Sequence, residues 1–575
     1  MPVANAMLDL KQYDSLGAAL REAIARWPEE ICLIEADRDR EKSRLTYREF
    51  GEASAQLASA LEHSGFAHGS RASIIMTNQS KWQISAYAVF YAGGILVPLD
   101  WMLEADVHVQ LLCHSRPDVL IVEYWFWKNI TEAQSFPNLN VRTILVTEAP
   151  KDADLKGALR WEEFRVADPP EFRPRSRKDT ACIVYSSGTG GHPKGCVLTH
   201  ENYLEQCSAV APIFPFFPGT RYLSIIPTNH AIDFMGGFVM PFTGGGTVVH
   251  LRSLKPVYIR EAFTRYKINY MAMVPVILKN LQTGLQDKFA ALPWHKRIAL
   301  RLLMRVNRIL TRNEPHLQLS RKLFAEVHRA FGGELRAFLV GGAFTEPGVI
   351  RFFHDLGIPI FNGYGETEAC TAITLNDLKP FRPDTVGRPV PGVELRIVDP
   401  DGEGIGEVAV RSKTVMAGYL DDEEMTAETI VDGWLMTGDL GRIDSLGHLH
   451  LCGRVKNMIV TKEGKNVYPE DVEKVFSGLP VKELCVSAAN FVWQVHTMVD
   501  EQLVLILHPS EGQSMTNDLR AEIARRNQQL AHHKRVSGFV IWDRDFPRPR
   551  KMEIGRRELA QQIRKETDRS AMVPL

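Results

Sequence analysis

Short apolar runs rich in Val and Ile alternate with stretches of helical apolar spacing through about the first 400 residues of the chain. Alternation of this kind predicts layers of sheet and helix rather than an all-β or all-helical fold. The clearest predicted strands are residues 72–76, 118–122, 142–146 and 222–227. Thr46 precedes an amphipathic pattern that ends near His63, which predicts a helix with an N-cap at Thr46.

The pattern changes after about residue 390. Short strands broken by glycine predict an antiparallel or barrel-like part between residues 390 and 453. From residue 456 onward strands and helices alternate over the remainder of the chain, which is long enough for a small α+β domain. We therefore expect an α/β protein with a large N-terminal domain (1–455), which contains the barrel-like part, and a small mobile C-terminal domain (456–575). The 575-residue length agrees, because a single core stops growing at about 250–300 residues.

Composition narrows the class of protein. Lys and Arg number 68 against 69 Asp and Glu, and 45% of the residues are hydrophobic, as in soluble globular enzymes. A disordered, collagen-like or nucleic-acid-coating protein is excluded on these grounds. The eight cysteines include no C-x-x-C pair, so neither a disulfide framework nor a zinc site is predicted. With no predicted signal peptide or membrane span, we expect a cytoplasmic protein without a nucleic-acid partner.

One segment departs from this electrical neutrality. Residues 287–329 contain ten Lys and Arg against three acidic residues, a net charge of +7 that the rest of the chain offsets with −8. Five arginines lie on one face of a predicted helix: Arg297, Arg301, Arg305, Arg308 and Arg312. Three interpretations remain open, namely a solvated helix packed on the body, a face that contacts a membrane surface, and a face that binds an anionic ligand.

A glycine-rich loop carries the strongest chemical signal. Residues 185–195, Y-S-S-G-T-G-G-H-P-K-G, directly follow the apolar strand A-C-I-V. Glycines leave backbone N–H groups free to converge on an anion, and Lys194 adds a point charge, so the loop predicts a triphosphate cradle. The P-loop pattern G-x-x-x-x-G-K-[ST] is not matched, since Gly195 and Cys196 follow the lysine. A plain Gly/Ser-rich turn is the alternative.

The loop resembles the phosphate-binding signature of the AMP-forming acyl-adenylating enzymes, the superfamily of acyl-CoA synthetases, firefly luciferase and peptide-synthetase adenylation domains. Similar segments occur in the expected order between residues 45 and 559. They are LTYREF (45–50), YAGGILVPLD (91–100), PTNHAIDF (227–234), LVGGAFT (339–345), NGYGETEA (362–369), WLMTGDLG (434–441) and GRVKNMIVTKEGKNVYPEDVE (453–473).

The resemblance implies a role for each matching residue. Glu368 corresponds to the magnesium ligand, a carboxylate of the kind that this hard cation prefers, and Thr367 to the α-phosphate contact, with Lys194 catalytic. Asp439 would accept hydrogen bonds from the ribose hydroxyls beside Arg454, although an aspartate in such a turn is by itself more often a cap. The implied phosphate loop comprises Ser186, Ser187, Gly188, Thr189, Gly190 and Gly191. The implied adenine site comprises Gly341, Gly342, Ala343, Asn362, Gly363 and Tyr364.

The implied reaction has two steps. With ATP and Mg2+, a small-molecule carboxylate attacks the α-phosphate, which gives an acyl-adenylate and pyrophosphate; both reactants are anionic, so positioning and charge neutralisation dominate. The thiol of coenzyme A then attacks the adenylate after the C-terminal domain rotates. Lys456 lies at the hinge position of the family, and Gly464 in the following loop would let the pantetheine approach.

The sequence departs from the family pattern at one important position. The family carries a catalytic lysine shortly before its final helix, whereas alignment on Pro547 and R-R-E-L (556–559) puts Glu553 there. Loss of one preorganised donor costs roughly 10²–10³-fold in rate, and a reversed charge at least as much. Lys551, two residues earlier, would share a strand face with position 553 and is the candidate substitute.

The acyl substrate is expected to be apolar. His230, Phe234, Gly236, Gly237 and Val274 match positions that line the acyl pocket in the family, without a polar group for a substrate amine or phenol. A helical insertion at 279–331 resembles medium- and long-chain fatty acyl-CoA synthetases. Fatty acyl-CoA synthesis is thus the expected function. Two alternatives remain: transfer of the acyl group to a carrier protein or amine, and a nucleotide- or adenylate-binding protein whose adenylation Glu553 impairs.

Overall fold

The computed structural model describes residues 7–168, 170–186, 193–460, 466–493, 502–510, 517–548 and 554–575. The chain divides into two units, one of residues 1–395 with 410–435 and one of residues 396–409 with 436–575. The second unit includes the hairpin before residue 455, because Lys474 Nζ donates a 2.9 Å hydrogen bond to the carbonyl of Leu451. The 455/456 boundary predicted for a mobile domain stays a prediction.

Twenty-eight strands occur among the described residues. They are β1 Ile31–Asp37, β2 Arg40–Thr46, β3 Arg71–Ile75, β4 Ile95–Pro98, β5 Val119–Glu123, β6 Thr143–Thr147, β7 Leu159–Arg160, β8 Thr180–Ser186, β9 Lys194–Thr199, β10 Arg221–Ser224, β11 Thr247–Leu251, β12 Tyr270–Met273, β13 Ala337–Val340, β14 Ile360–Tyr364, β15 Thr374–Leu375, β16 Arg388–Pro389, β17 Glu394–Val398, β18 Gly406–Arg411, β19 Gly418–Tyr419, β20 Ile430–Val431, β21 Trp434–Ile443, β22 Leu449–Arg454, β23 Ile459–Val460, β24 Asn466–Val467, β25 Val481–Ala488, β26 Leu503–Pro509, β27 Val536–Ile541 and β28 Val573–Pro574.

Nineteen α-helices accompany these strands in the described part of the chain. They are α1 Leu16–Arg26, α2 Tyr47–His63, α3 Ser80–Tyr91, α4 Ala105–Ser115, α5 Tyr124–Glu132, α6 His200–Val210, α7 Ala231–Phe234, α8 Met240–Thr243, α9 Pro256–Tyr266, α10 Pro275–Ala290, α11 Trp294–Leu310, α12 Leu317–Leu323, α13 Ala325–Ala330, α14 Pro347–Asp355, α15 Glu423–Thr429, α16 Pro469–Phe476, α17 Ala489–Val492, α18 Asn517–Asn527 and α19 Arg556–Glu566.

The first unit is built on two large sheets. One has the strand order β16-β15-β14-β13-β12-β10-β11-β1-β2 and the other the order β19-β9-β8-β4-β3-β5-β6-β7. The central pairs are parallel, for example β12 with β13 and β13 with β14. Parallel strands are typically covered by helices on both faces, so their sequences are continuous apolar runs. The mixed α/β class predicted from the sequence is therefore confirmed.

Local sequence signals explain several element boundaries. The Thr46 side chain accepts a hydrogen bond from the backbone N–H of Glu49, and the Glu49 carboxylate accepts one from the backbone N–H of Thr46, which completes a capping box at the start of α2. Thr199 and Asn202 form the corresponding pair at α6. Helices α10 to α13 make up the predicted helical insertion.

The second unit has two parts, an antiparallel one and a mixed sheet in which β26 and β27 are parallel. In the first part, strands β17, β18 and β21 lie side by side, each partly within this unit, and β22 pairs with β21. The register of β21 and β22 puts Asp439 opposite Arg454. The strands predicted after residue 390 are therefore present. A four-stranded sheet β25-β26-β27-β28 follows, with Val472, Phe476 and Phe539 in its core. In the described residues no helix has the length and apolar character needed to cross a bilayer.

Candidate active site

Two paired strands hold the described ends of the predicted phosphate loop. Strand β8 ends at Ser186 and β9 begins at Lys194, and these two residues are partners in the antiparallel register. The loop is therefore closed at its base by sheet hydrogen bonds. Its predicted phosphate ligands Ser187, Gly188, Thr189, Gly190 and Gly191 lie outside the described residues.

Glu368 reaches the described end of this loop. A single turn of 3-10 helix, Thr367–Ala369, carries it directly after β14. Both side-chain hydrogen bonds to Glu368 in the described part of the chain end on Oε1, where the Ser186 hydroxyl donates at 2.9 Å and the Tyr419 hydroxyl at 3.0 Å. The structure thus brings together Ser186 and Glu368, which the sequence analysis assigned to one phosphate and metal site.

Tyr419 is a site residue that sequence reasoning missed. It lies on β19, which pairs with β9 so that Tyr419 faces Cys196 in the register. The Lys194 ammonium lies 5.5 Å from the centroid of the Tyr419 ring, a cation–π distance. Burial, and then the Glu368 carboxylate, raise the pKa of the Tyr419 hydroxyl, which keeps it protonated as a donor. A tyrosine after a glycine carries no signal of this contact in the sequence.

The predicted adenine residues lie at the carboxyl ends of two parallel strands, β13 and β14. Ligands of open α/β sheets bind at such ends. Gly341 lies close to the neighbouring strand, since a Cβ there would lie 3.3 Å from the carbonyl oxygen of Gly363. Gly342 has φ +82°, which favours glycine. Ala343 follows directly, and Tyr364 is half-buried at the end of β14.

Asn362, predicted to contact adenine, is buried and forms hydrogen bonds within the protein. Its side chain is buried, with Oδ1 accepting a 3.3 Å hydrogen bond from the Thr345 hydroxyl. Its Nδ2 donates at 3.3 Å to the carbonyl of Thr385. These bonds tie three segments around the end of β14. Thr367, predicted to contact the α-phosphate, is also largely buried.

Four of the predicted acyl-pocket residues lie on or next to a distorted helix: His230, Phe234, Gly236 and Gly237. His230 caps α7, where its Nδ1 accepts a 3.4 Å hydrogen bond from the backbone N–H of Ile232. The next turn, Met235–Val239, is a π-helix that contains Gly236 and Gly237. Such π turns often occur at functional sites. Phe234 is buried and packs at 4.9 Å between ring centroids on Tyr203, in the core of the first unit.

A buried carboxylate explains one of these glycines. Asp233 is fully buried and accepts hydrogen bonds from the hydroxyls of Tyr222 at 3.0 Å, Ser224 at 2.8 Å and Thr228 at 3.2 Å. Burial raises the pKa of Asp233 to about 7. A Cβ on Gly237 would lie 2.5 Å from the Asp233 carboxylate, so glycine is required there by the protein itself. Sequence reasoning missed Asp233. Val274 is the N-cap residue of α10.

In the second unit, Asp439 and Arg454 form the pair that the sequence predicted. The Arg454 Nε lies 2.9 Å from Asp439 Oδ1 across the β21–β22 register. The Asp439 backbone N–H donates to the Thr437 hydroxyl at 3.1 Å, which fixes the turn. Lys456 is exposed in a short 3-10 helix, Val455–Asn457. Three further predicted positions lie outside the described residues: Gly464, Lys551 and Glu553.

Comparison with known families decides the class of this protein. The family model described as "AMP-binding enzyme" matches residues 20–420, well over half of the chain. The chain belongs to the AMP-binding enzyme family. The resemblance stated from the motifs is thereby confirmed, and so is the prediction that the chain is an enzyme.

Individual relatives of this AMP-binding enzyme are ligases. The long-chain-fatty-acid–CoA ligase FadD15 of Mycobacterium bovis is 27% identical over 545 residues, which cover 86% of this chain and 86% of that protein. The long-chain-fatty-acid–[acyl-carrier-protein] ligase AEE15 of Arabidopsis thaliana is 24% identical over 82% of this chain and 74% of its own length. The o-succinylbenzoate coenzyme A synthetase of Bacillus subtilis, solved with ATP and magnesium, has a TM-score of 0.71 at 22% identity and 95% and 98% coverage.

The donors of this AMP-binding enzyme fit a magnesium ion shared with phosphate oxygens. The described residues contain no cluster of three or more His, Cys, Asp or Glu that could hold a metal alone. Mg2+ commonly binds through one or two carboxylates together with substrate phosphates, so a single carboxylate suffices. In Glu368 the two hydroxyl donors converge on Oε1, which orients the carboxylate; among the residues that the structure describes, none donates a hydrogen bond to Oε2, which is available to a cation.

Proposed function

We propose that this AMP-binding enzyme activates a carboxylic acid with ATP and Mg2+ to an acyl-adenylate and then transfers the acyl group to coenzyme A. The observation that carries the proposal is the convergence of Ser186 and Tyr419 on Glu368 beside Lys194. A carboxylate, hydroxyls and a lysine at the base of a glycine-rich loop are the groups that hold a metal–triphosphate.

Each group has a distinct part in the first step. Lys194 contributes positive charge where two anionic reactants must approach, and Ser186 orients the Glu368 carboxylate. Bound Mg2+ supplies charge neutralisation at the phosphate oxygens. Thr367, one residue before Glu368 on the same turn, offers its hydroxyl to the α-phosphate. The loop residues 187–191 complete the cradle in this proposal.

The proposal assigns each part of the nucleoside to a separate group of residues. Gly341, Gly342, Ala343, Gly363 and Tyr364 form the adenine site, with Asn362 as its structural support rather than a direct contact. Asp439 and Arg454 hold the ribose hydroxyls, Lys456 is the hinge between domains 1–455 and 456–575, and Gly464 lets the pantetheine approach.

The proposed acid is a medium- or long-chain fatty acid. Support comes from the apolar surroundings of Phe234, the π turn with Gly236 and Gly237, and the fatty-acid ligases among the relatives. In this proposal His230 and Val274 contribute to the entrance of the acyl site. An aromatic acid is the competing substrate class, because the Bacillus subtilis neighbour is an o-succinylbenzoate synthetase.

Two alternatives are favoured by specific observations. A carrier-protein acceptor has support from the Arabidopsis relative, which is named for that acceptor. Impaired adenylation has support from Glu553 at the position of the family's lysine, unless Lys551 compensates.

We further propose a cytoplasmic location with segment 287–329 in contact with a membrane surface.

The test is ATP–pyrophosphate exchange with a panel of fatty and aromatic acids, followed by acyl transfer. We expect exchange to be strongest with fatty acids and AMP release to require coenzyme A. Faster transfer of the acyl group to a holo acyl carrier protein than to coenzyme A would show that the carrier protein is the acceptor. ATP binding by calorimetry without exchange for any acid would leave the adenylation-impaired protein as the function.

A further inference from the structure

Helix α11 presents an unusual surface. Its outward face carries five large apolar side chains at intervals of four, four, four and three residues: Trp294, Ile298, Leu302, Val306 and Ile309. At 3.6 residues per turn these side chains fall within an arc of about 120°. Trp294 is 68% exposed and Ile309 is 75% exposed. A surface helix of a globular protein normally turns such a stripe toward the core.

Polar residues anchor this helix to the first unit instead. Asn307 is fully buried, and its Nδ2 lies 3.2 Å from the carbonyl oxygens of both His354 and Asp355. One turn later the buried Thr311 hydroxyl lies 3.1 Å from Nε2 of His354. Arg308 Nε donates to Asp355 Oδ1 at 2.8 Å. The apolar stripe is therefore held outward by hydrogen bonds of Asn307 on the opposite side of the helix, of Thr311 just past its end and of Arg308 on its flank.

Basic residues border the apolar stripe. Arg297, Arg301 and Arg305 lie along its edge, are exposed, and form no ion pair with a described residue. The helix contains no Asp or Glu at all. Together the five apolar residues and these three arginines define what we call the outward face of α11.

We propose that the outward face of α11 binds the surface of an anionic lipid bilayer. A helix with Trp, Leu and Ile on one side and arginines beside them lies in the interface plane, with its apolar side chains among the acyl chains and its charges at the headgroups. Charge complementarity selects this occupant over a second copy of the chain. Two such faces in contact would bring together arginines of both copies without an acidic residue on either helix. The inference does not depend on the proposed chemistry.

The primary test is co-sedimentation of the full chain with vesicles. We expect binding to phosphatidylcholine vesicles that contain 30% phosphatidylglycerol and weak binding to phosphatidylcholine alone. The variant Arg297→Glu/Arg301→Glu/Arg305→Glu should bind the anionic vesicles at least a hundredfold more weakly, since each basic residue near such a surface contributes about fivefold. The variant Ile298→Ser/Leu302→Ser/Ile309→Ser should lose at least tenfold on the same vesicles.

Matched controls lie elsewhere on the first unit. Met102→Ser/Trp125→Ser removes two exposed apolar side chains outside α11, and Arg260→Glu reverses an exposed charge on α9. Both controls should bind like the unmodified chain. A loss in the controls equal to that in the α11 variants would overturn the proposal.

Trp294 provides a second measurement that needs no destabilising change. Brominated phosphatidylcholine mixed with phosphatidylglycerol should quench the unmodified chain more than Trp294→Phe, because only the first has an indole on the outward face. Equal quenching in the two proteins, or equal sedimentation with neutral and anionic vesicles, would refute the bilayer assignment. Self-association that Ile298→Ser/Leu302→Ser/Ile309→Ser abolishes, without vesicle binding, would assign the face to a second copy.

Discussion

The Tyr419 hydroxyl donates a 3.0 Å hydrogen bond to Oε1 of Glu368, the same carboxylate oxygen that accepts from Ser186. Because the hydroxyl remains protonated, it acts as a fixed donor that sets the orientation of the carboxylate. Partners of this kind determine how well a ligand side chain presents its remaining oxygen to a metal.

We predict that Tyr419→Phe weakens the binding of magnesium rather than the binding of the acid. The variant keeps the aromatic ring over which Lys194 lies and removes only the hydroxyl. The Mg2+ concentration for half-maximal ATP–pyrophosphate exchange should rise about 10- to 100-fold, while KM for the acid stays within twofold. Titration of Mg2+ at saturating ATP and acid measures both.

The matched control for this prediction is Tyr266→Phe, on α9. The Tyr266 hydroxyl also meets a carboxylate, Oε2 of Glu41 at 3.4 Å, but away from Glu368. It should leave the magnesium titration unchanged. An unchanged titration in Tyr419→Phe as well would show that the Tyr419 hydroxyl does not position Glu368 for the metal.

The contact between Tyr419 and Glu368 could not be predicted from the sequence. Local signals were sufficient for α2, whose cap at Thr46 and end at His63 match the prediction, and for β5, shifted by one residue from the predicted run. Those elements depend on neighbours in the chain. Tyr419 and Glu368 are 51 residues apart and meet only because β19 joins the edge of β9.

The same reasoning applies to α11. Helical spacing was enough to place four of the five predicted arginines on one face of α11, but the helix ends at Leu310 and Arg312 lies beyond it. The orientation of that face depends on Asn307 and Thr311 contacting His354. No pattern within residues 294–310 contains that information. The motifs of the family supplied most of the site residues, whereas Asp233 and Tyr419, which support the motif residues from behind, required the folded chain.

A second prediction concerns the ribose. If Asp439 accepts from the ribose hydroxyls, Asp439→Asn loses a hydrogen bond to a charged group together with the Arg454 ion pair. Such a bond contributes about 1.5–3 kcal/mol, so KM for ATP should rise roughly 10- to 100-fold. Replacing ATP by 3′-deoxyATP should impair the unmodified enzyme and leave the variant almost unaffected, which exchange kinetics with both nucleotides measure.

Asp432→Asn is the control for the ribose prediction. Asp432 is an exposed turn residue with φ +51°, a conformation that asparagine also adopts. It should not alter KM for either nucleotide. Equal discrimination against 3′-deoxyATP by Asp439→Asn and by the unmodified enzyme would remove Asp439 from the ribose site.

A third prediction follows from a buried histidine. His250 on β11 is fully buried, and neither ring nitrogen has a hydrogen-bond partner in the described chain. Burial, reinforced by Arg252, lowers the pKa of His250 to about 3. Because the folded pKa lies below the unfolded value of about 6.5, the unfolded state gains protons first on acidification. The contribution of neutral His250 to stability is complete above pH 6.5 and is lost as the pH falls toward 3.

Replacing His250 should reduce the loss of folding stability at acidic pH. At pH 5 the unmodified chain should lose about 2 kcal/mol through His250 relative to pH 7.5, and His250→Leu should not show this part of the loss. Thermal unfolding midpoints between pH 5 and 7.5 measure the difference, with His200, whose pKa is also lowered to about 3, present in both proteins. His295→Gln, an exposed position, serves as the control. Parallel curves for His250→Leu and the unmodified chain would contradict the prediction.

The last prediction concerns Glu553. The start of the following helix is firmly fixed, since Arg556 Nη1 donates at 2.7 Å to Glu473 and at 2.7 Å to the carbonyl of Val486, and Leu559 is fully buried. Arg556 and Leu559 of the R-R-E-L segment are thus held in the second unit, and the alignment on that segment puts Glu553 at the lysine position. A carboxylate there repels the anionic acid and phosphate, so Glu553→Lys should raise the ATP–pyrophosphate exchange rate by roughly 10²-fold or more.

The rate of thioester formation, the second half-reaction, distinguishes a role of residue 553 in adenylation from a general gain in protein stability. Thioester formation from supplied acyl-adenylate and coenzyme A does not bring a carboxylate to the phosphate, so Glu553→Lys should leave its rate within about twofold. Glu558→Lys, a charge reversal at an exposed position of α19, should change neither rate. Lys551→Ala completes the set: if Lys551 compensates for Glu553, exchange should fall at least tenfold in the unmodified background and much less in Glu553→Lys. An equal response of both half-reactions to Glu553→Lys would show that residue 553 does not occupy the lysine position.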